Sequence, residues 1–127
     1  PEVVVILAGI NDSARKVSTE IIFNNIISMV ELAKANKIKV ILCSVLPVSK
    51  FPWDQELKPA GKVIELNLLL KLYAYQNDIV YLNYFAAMAD DSYGLKKELG
   101  TDGVHPNRAG YLVMEPLLEE AISSIRN

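Results

Sequence analysis

Residues 1–12, "PEVVVILAGIND", decide how the rest of the chain is read. Residues 3–8 are a short, continuous run rich in β-branched side chains, ended by Gly9. A strand with one wet face alternates apolar and polar residues. A run without polar interruption suits a strand covered on both faces, the kind found in parallel sheets. Parallel neighbours need crossover connections, and these are usually helices. Strand and helix should therefore alternate along the chain.

The remaining pattern agrees. Residues 18–36 carry Ile22, Ile26, Met29, Val30 and Ala33 at helical spacing, with Ser18 and Thr19 as candidate caps. Residues 38–46 read as a second buried strand, stopped by Pro47. Residues 47–59, "PVSKFPWDQELKP", make a long polar and aromatic loop. A second helical stripe follows Pro59 through Val63, Leu66, Leu70 and Tyr73. Residues 79–85 read as a third strand. An irregular segment then leads to a helix over 107–125, with Leu112, Leu117, Ala121 and Ile125 inward and Pro116 placed to kink it. The order β-α-β-α-β-α predicts a three-layer α/β/α fold with a parallel, doubly wound, flavodoxin-like sheet and right-handed crossovers. At 127 residues the chain is one domain and too short for two. Three strands make a thin sheet for this fold, and the chain opens directly on strand without an initiator methionine. We expect an N-terminal portion to be missing.

Apolar residues make up 51% and charged residues 22%, a globular balance that excludes a disordered chain. A net charge of −2 with no basic run excludes a nucleic-acid footprint. No apolar stretch is long enough for a membrane span. Cys43 lies within the apolar run "KVILCSVLP", residues 39–47, and reads as a small core residue rather than a reactive thiol. One cysteine and one histidine on different elements give no metal-ligand cluster, and no cofactor is implied. The compartment is left open.

In open parallel sheets, ligands bind beyond the carboxyl ends of the strands. "AGIND" (8–12) follows the first strand, "LPVSKFPW" (46–53) the second, and "DGVHPN" (102–107) comes between the third and the last helix. All three should share one rim. His105 is the only histidine, and Asp102 stands three residues before it. A carboxylate that accepts one ring proton fixes the imidazole tautomer and leaves the other nitrogen as a base. Gly103 permits the bend, and Pro106 biases His105 toward extended backbone. The spacing alone fits a surface histidine near a loop aspartate more readily than a catalytic pair. On the first rim segment, Asn11 offers a side-chain amide of the kind that stabilises an oxyanion, with Gly9 shaping the turn. Asp12 and Ser13 are read as turning and capping the chain, since Ser13 lacks the strained strand-to-helix elbow of nucleophilic serines. Phe51 and Trp53 either line a substrate pocket or plug the neighbouring helix.

The two rim motifs together resemble the GDSL or SGNH hydrolase superfamily, in its acylhydrolase branch. Gly9-Ile10-Asn11-Asp12 matches its G-x-N-D block, and Asp102-Gly103-Val104-His105-Pro106 matches its D-x-x-H-P block. Residues 107–122 look like the family's final helix, and residues 46–74 like its loop and helix. The resemblance implies a Ser-His-Asp ester hydrolase acting on a lipid acyl or carbohydrate O-acetyl ester, without metal or cofactor. His105 would be the general base, Asp102 its orienting acid and Asn11 an oxyanion donor. The family's G-D-S block, which carries the nucleophilic serine, and its second glycine block are absent here. The chain then reads as the C-terminal portion of one such domain, inactive alone. Its strand 3–8 would be left open to pair with a second copy or with the missing segment. Two rivals remain: a degenerate relative without the serine, and a flavodoxin-like small-molecule binding module. The second would need a glycine-rich, phosphate-cradling turn, and "AGINDSARK" is poor in glycine.

Overall fold

The computed structural model describes residues 2–51 and 58–126. Three short strands, β1 (Val3–Ile6), β2 (Lys39–Cys43) and β3 (Val80–Leu82), form a parallel sheet in the order β1-β2-β3. Val4 lies opposite Val40, and Leu42 opposite Tyr81. Between and around them run α1 (Ile10–Ala14), α2 (Thr19–Ala35), α3 (Pro59–Gln76), α4 (Tyr84–Met88) and α5 (Arg108–Arg126), with a 3-10 turn at Lys97–Leu99.

The apolar run of β2 is continuous because both of its faces are covered. Val40 and Leu42 pack with Ile22, Ile26 and Val30 of α2 and Val63, Leu66 and Leu70 of α3. Ile41 and Cys43 point the other way, into a second core with Met88 of α4 and Met114 and Ala121 of α5. Helices thus lie on both faces of a parallel sheet, the α/β layering expected from the sequence. Cys43 is buried, and burial pushes its thiol up to about 12. It is a packing residue, not a nucleophile.

Sequence and structure part company at element ends. The third strand was expected to run to residue 85 but stops at Leu82. Asn83 caps α4 by accepting the Ala86 N–H at 3.1 Å, and Ser44 Oγ accepts the Phe85 N–H at 2.9 Å. Those side chains offer the backbone an alternative to the ladder. Ser18 does cap α2, accepting the Ile21 N–H at 3.3 Å. Met29, expected inward, is exposed on α2. Leu112, expected inward on α5, is also exposed. The reason is Gly110, which faces the Lys97–Leu99 turn so closely that a Cβ there would sit 2.5 Å from the Leu99 carbonyl oxygen. With 110 and 114 turned in, 112 must turn out.

One buried polar contact sets the path beyond β2. Asn67, inside the apolar stripe of α3, accepts the Val45 N–H at 2.6 Å and donates to the Val45 carbonyl at 3.0 Å. It replaces the ladder partners that Val45 lacks past the end of the strand. Asn67→Ala leaves both backbone groups buried without partners and is expected to cost about 2–4 kcal/mol of stability. Urea denaturation measures it; a loss below about 1 kcal/mol would mean that Val45 finds other partners.

Candidate active site

The rim beyond the carboxyl ends of the strands is built by three connections. After β1 the chain turns at Gly9, whose φ of 116° is a left-handed backbone natural to glycine alone. A Cβ at Gly9 would lie 3.1 Å from Ile22 and 3.2 Å from Leu66, so the turn also rests tightly on α2 and α3. Asn11 follows in the first turn of α1, with its side chain exposed. Ser13 is buried on the same short helix.

After β2, Val45, Pro47, Val48 and Phe51 turn inward, while Ser49 and Lys50 stay exposed. Phe51 is only 1% exposed and packs with Val48 and Val104, against Ile10 and Ala14. Phe51 thus supports the rim from below and presents little open ring surface. Trp53 lies outside the described residues.

The third connection carries the polar pair. Residues 100 and 106 are joined by an antiparallel bridge, so the turn between them is closed at its base. Gly103, with φ 83°, makes the bend. Its carbonyl accepts the Ser49 N–H at 3.1 Å, which ties the turn to the loop after β2. Asn107 then starts α5: its carbonyl accepts the Tyr111 N–H and its side chain the Gly110 N–H, both at 3.0 Å. The cap is legible in the sequence as an asparagine at the head of the apolar stripe of α5.

Within the turn, one oxygen of Asp102 accepts the His105 N–H at 2.8 Å and the Val104 N–H at 2.9 Å. The other lies 2.7 Å from His105 Nδ1. The His105 backbone N–H, then its ring, then the Val104 N–H hold the carboxyl down at about 2. Asp102 is therefore ionised at neutral pH. An ionised carboxylate can only accept, so Nδ1 carries the proton and Nε2 is left with its lone pair. The His105 side chain is 67% exposed.

His105 also lines an apolar cleft of about 140 Å³, bounded by Leu7 and Ile10 after β1 and by Val45 and Val48 after β2. The three rim segments do meet, and Ile10, next to Asn11, shares a cleft with the imidazole. A broader depression of about 570 Å³ borders Asp102 and Gly103 and is walled by Lys50, Asp90 and Lys96. No helix among the described residues is long and apolar enough to cross a membrane.

Fold and site together define an α/β/α protein with an Asp–His pair at the carboxyl rim of a parallel sheet. The chain belongs to the GDSL-like lipase/acylhydrolase family, whose model matches residues 1–113. A crystal structure of a Bacteroides fragilis protein described as an acylhydrolase is 42% identical, with a TM-score of 0.95 over 100% of this chain and 64% of that one. A GDSL-like lipase from Bacteroides thetaiotaomicron is 45% identical, with a TM-score of 0.93 over 98% of this chain and 63% of that one. A Desulfitobacterium hafniense protein described as lipolytic and of the G-D-S-L family shares the fold at 24% identity, with a TM-score of 0.77 over 95% of this chain and 65% of that one. The chain thus spans 63–64% of the length of the two more similar relatives. No curated protein matches it.

Proposed function

We propose that these residues form the base and oxyanion side of a serine ester hydrolase whose nucleophile comes from the family's G-D-S block, outside these 127 residues. The observation that carries this reading is the Asp102–His105 contact of 2.7 Å beside an apolar cleft. His105 Nε2 takes the proton of the serine hydroxyl as its oxygen bonds to the ester carbonyl carbon. The carbonyl π electrons move onto oxygen, where the Asn11 amide donates to the oxyanion. When the tetrahedral species collapses, the alcohol leaves with the proton from His105, and water repeats the sequence on the acyl-serine. Asp102 stays ionised throughout and steadies the imidazolium.

The substrate is a carboxylic ester, a lipid acyl or carbohydrate O-acetyl ester. A cleft with almost no polar lining accepts the acyl portion of such an ester and would penalise a charged group there. The test is hydrolysis of p-nitrophenyl acetate. The intact protein turns the ester over, and the 127-residue chain alone does not exceed the rate of free imidazole. Absence of turnover in an intact protein that carries the serine defeats the reading.

The same reading assigns a partner to β1. It is an edge strand of the described sheet, and Val5 and Leu7 are exposed on or just past it. An open apolar edge is a template for another strand. Expressed alone, the chain pairs there with a second copy, or with the remainder of its domain when that is supplied. Light scattering after gel filtration is expected to give at least twice the 14.1 kDa chain mass. A stable free monomer of this chain would refute it.

A further inference from the structure

Helix α3 gives one face to the core and one flank to its neighbour. Val63, Leu66, Leu70 and Ala74 are buried with Val40 and Leu42 of the sheet. Tyr73 turns toward α2, where its ring meets Phe23 edge-on at 6.2 Å and its hydroxyl donates to Glu31 at 2.8 Å. At about 100° per residue, the flank away from α2 carries Gly61, Ile64, Leu68, Leu72 and Tyr75.

All four apolar side chains of that flank are exposed, Leu68 by 57% and Tyr75 by 84%. A lone exposed leucine is ordinary, but large apolar residues in line along one helix make a continuous patch, and such patches mark contact surfaces. Glu65 and Lys71, both exposed, border the stripe on either side and give it a polar rim. The spacing is also symmetric. Gly61 and Tyr75 stand seven residues either side of Leu68, and Ile64 and Leu72 four residues either side. Laid antiparallel on a second copy about a two-fold axis through Leu68, the helix sets Ile64 beside the partner's Leu72. Tyr75, the most exposed of the large apolar residues, then lies over the partner's Gly61. Gly61 has the room, since a Cβ there would meet nothing within 4 Å.

We propose that this flank of α3 pairs two copies of the intact protein, antiparallel, with Leu68 on the two-fold axis. A two-fold contact must be complementary to itself, residue by residue, and this stripe is. A surface shaped for a different partner has no reason to set a large ring at the same distance from its centre as a bare glycine. Seating the stripe on its own copy covers on the order of 1,000 Å² over both copies, where specific interfaces begin and above most lattice contacts. The face lies on the β3 side of the sheet, so it is separate from the open β1 edge at the other end of the order β1-β2-β3. Helix α3 starts at the rim that holds His105 and runs away from it. The antiparallel pairing therefore points the two rims in opposite directions and leaves both clefts open.

Sedimentation equilibrium of the intact protein tests the pairing. A dimer is expected at about 50 µM protein. Leu68→Lys sets two like charges against each other on the axis and should raise the dimer Kd about a hundredfold or more. Cross-linking with copper–phenanthroline, with the parent as control, reads the geometry. Leu68→Cys should join two copies through a disulfide, because its two sulfurs meet on the axis. Tyr75→Cys alone should not, its two copies standing about 21 Å apart along the helices, but mixed with Gly61→Cys protein it should. Cys43 is buried and does not compete. A monomer at that concentration, or a dimer that Leu68→Lys leaves as tight as the parent, would overturn the proposal. So would Tyr75→Cys joining to itself as readily as Leu68→Cys. Should Leu68→Lys fail to fold, the cross-linking pattern decides alone.

Discussion

His105→Ala in the intact protein is expected to lower kcat on p-nitrophenyl acetate by three or more powers of ten while the protein stays folded. The size follows from the role. Without a base at Nε2 distance, the serine hydroxyl must lose its proton to water, and a nucleophile–base pair loses nearly all its effect when one member goes. Stability should barely move, since the imidazole side chain is 67% exposed and its side-chain hydrogen bond is to a partly exposed carboxylate. Unfolding free energies of parent and variant from urea titrations should agree within about 1 kcal/mol, which separates lost chemistry from lost structure. Turnover within tenfold of the parent would remove His105 from the mechanism.

The legible and illegible parts of this fold divide along a physical line. The central strand announces itself, because covering both faces excludes polar residues: Ile41, Leu42 and Cys43 sit in one uninterrupted run and are all nearly inaccessible, whereas the equally apolar β1 is an edge with Val5 and Leu7 exposed on or just past it. The Asp102–His105 pair was legible because its geometry is local, set within one turn by a glycine and a proline. Contacts between distant elements were not. Nothing near Leu112 in sequence says that Gly110 approaches the turn before it, and that approach sets the helix register. Asn67 could have been found as the one amide within an apolar stripe, but its partner, Val45, lies 22 residues away on another element. Phe51 was ambiguous for a related reason. An aromatic residue in a loop reads as surface until the three segments that bury it are brought together.

Asp102→Asn should be the more diagnostic change, because it alters one proton and little else. The asparagine oxygen can still accept the Val104 and His105 N–H groups, so the turn keeps its shape. Its amide nitrogen, however, faces His105 Nδ1 as a donor and demands a lone pair there. That places the ring proton on Nε2, where the serine needs a base, and the imidazolium formed in the reaction loses its counter-charge. A fall in kcat of about ten-thousand-fold is expected, with KM nearly unchanged. The pH dependence follows from the same contacts. Asp102 is held at about 2 against an ordinary value of 3.8, so its carboxylate is favoured in the folded state. Its contribution to stability is present above the ordinary value and is lost as pH falls through about 2. Across pH 4–9 the carboxylate stays charged, so the parent's pH–rate profile should show no inflection from Asp102. In Asp102→Asn, the acid-induced loss of stability between pH 4 and 2 should be smaller than in the parent. A variant that keeps a tenth or more of the parent's turnover would show that His105 needs no acid beside it, leaving their 2.7 Å contact a structural one.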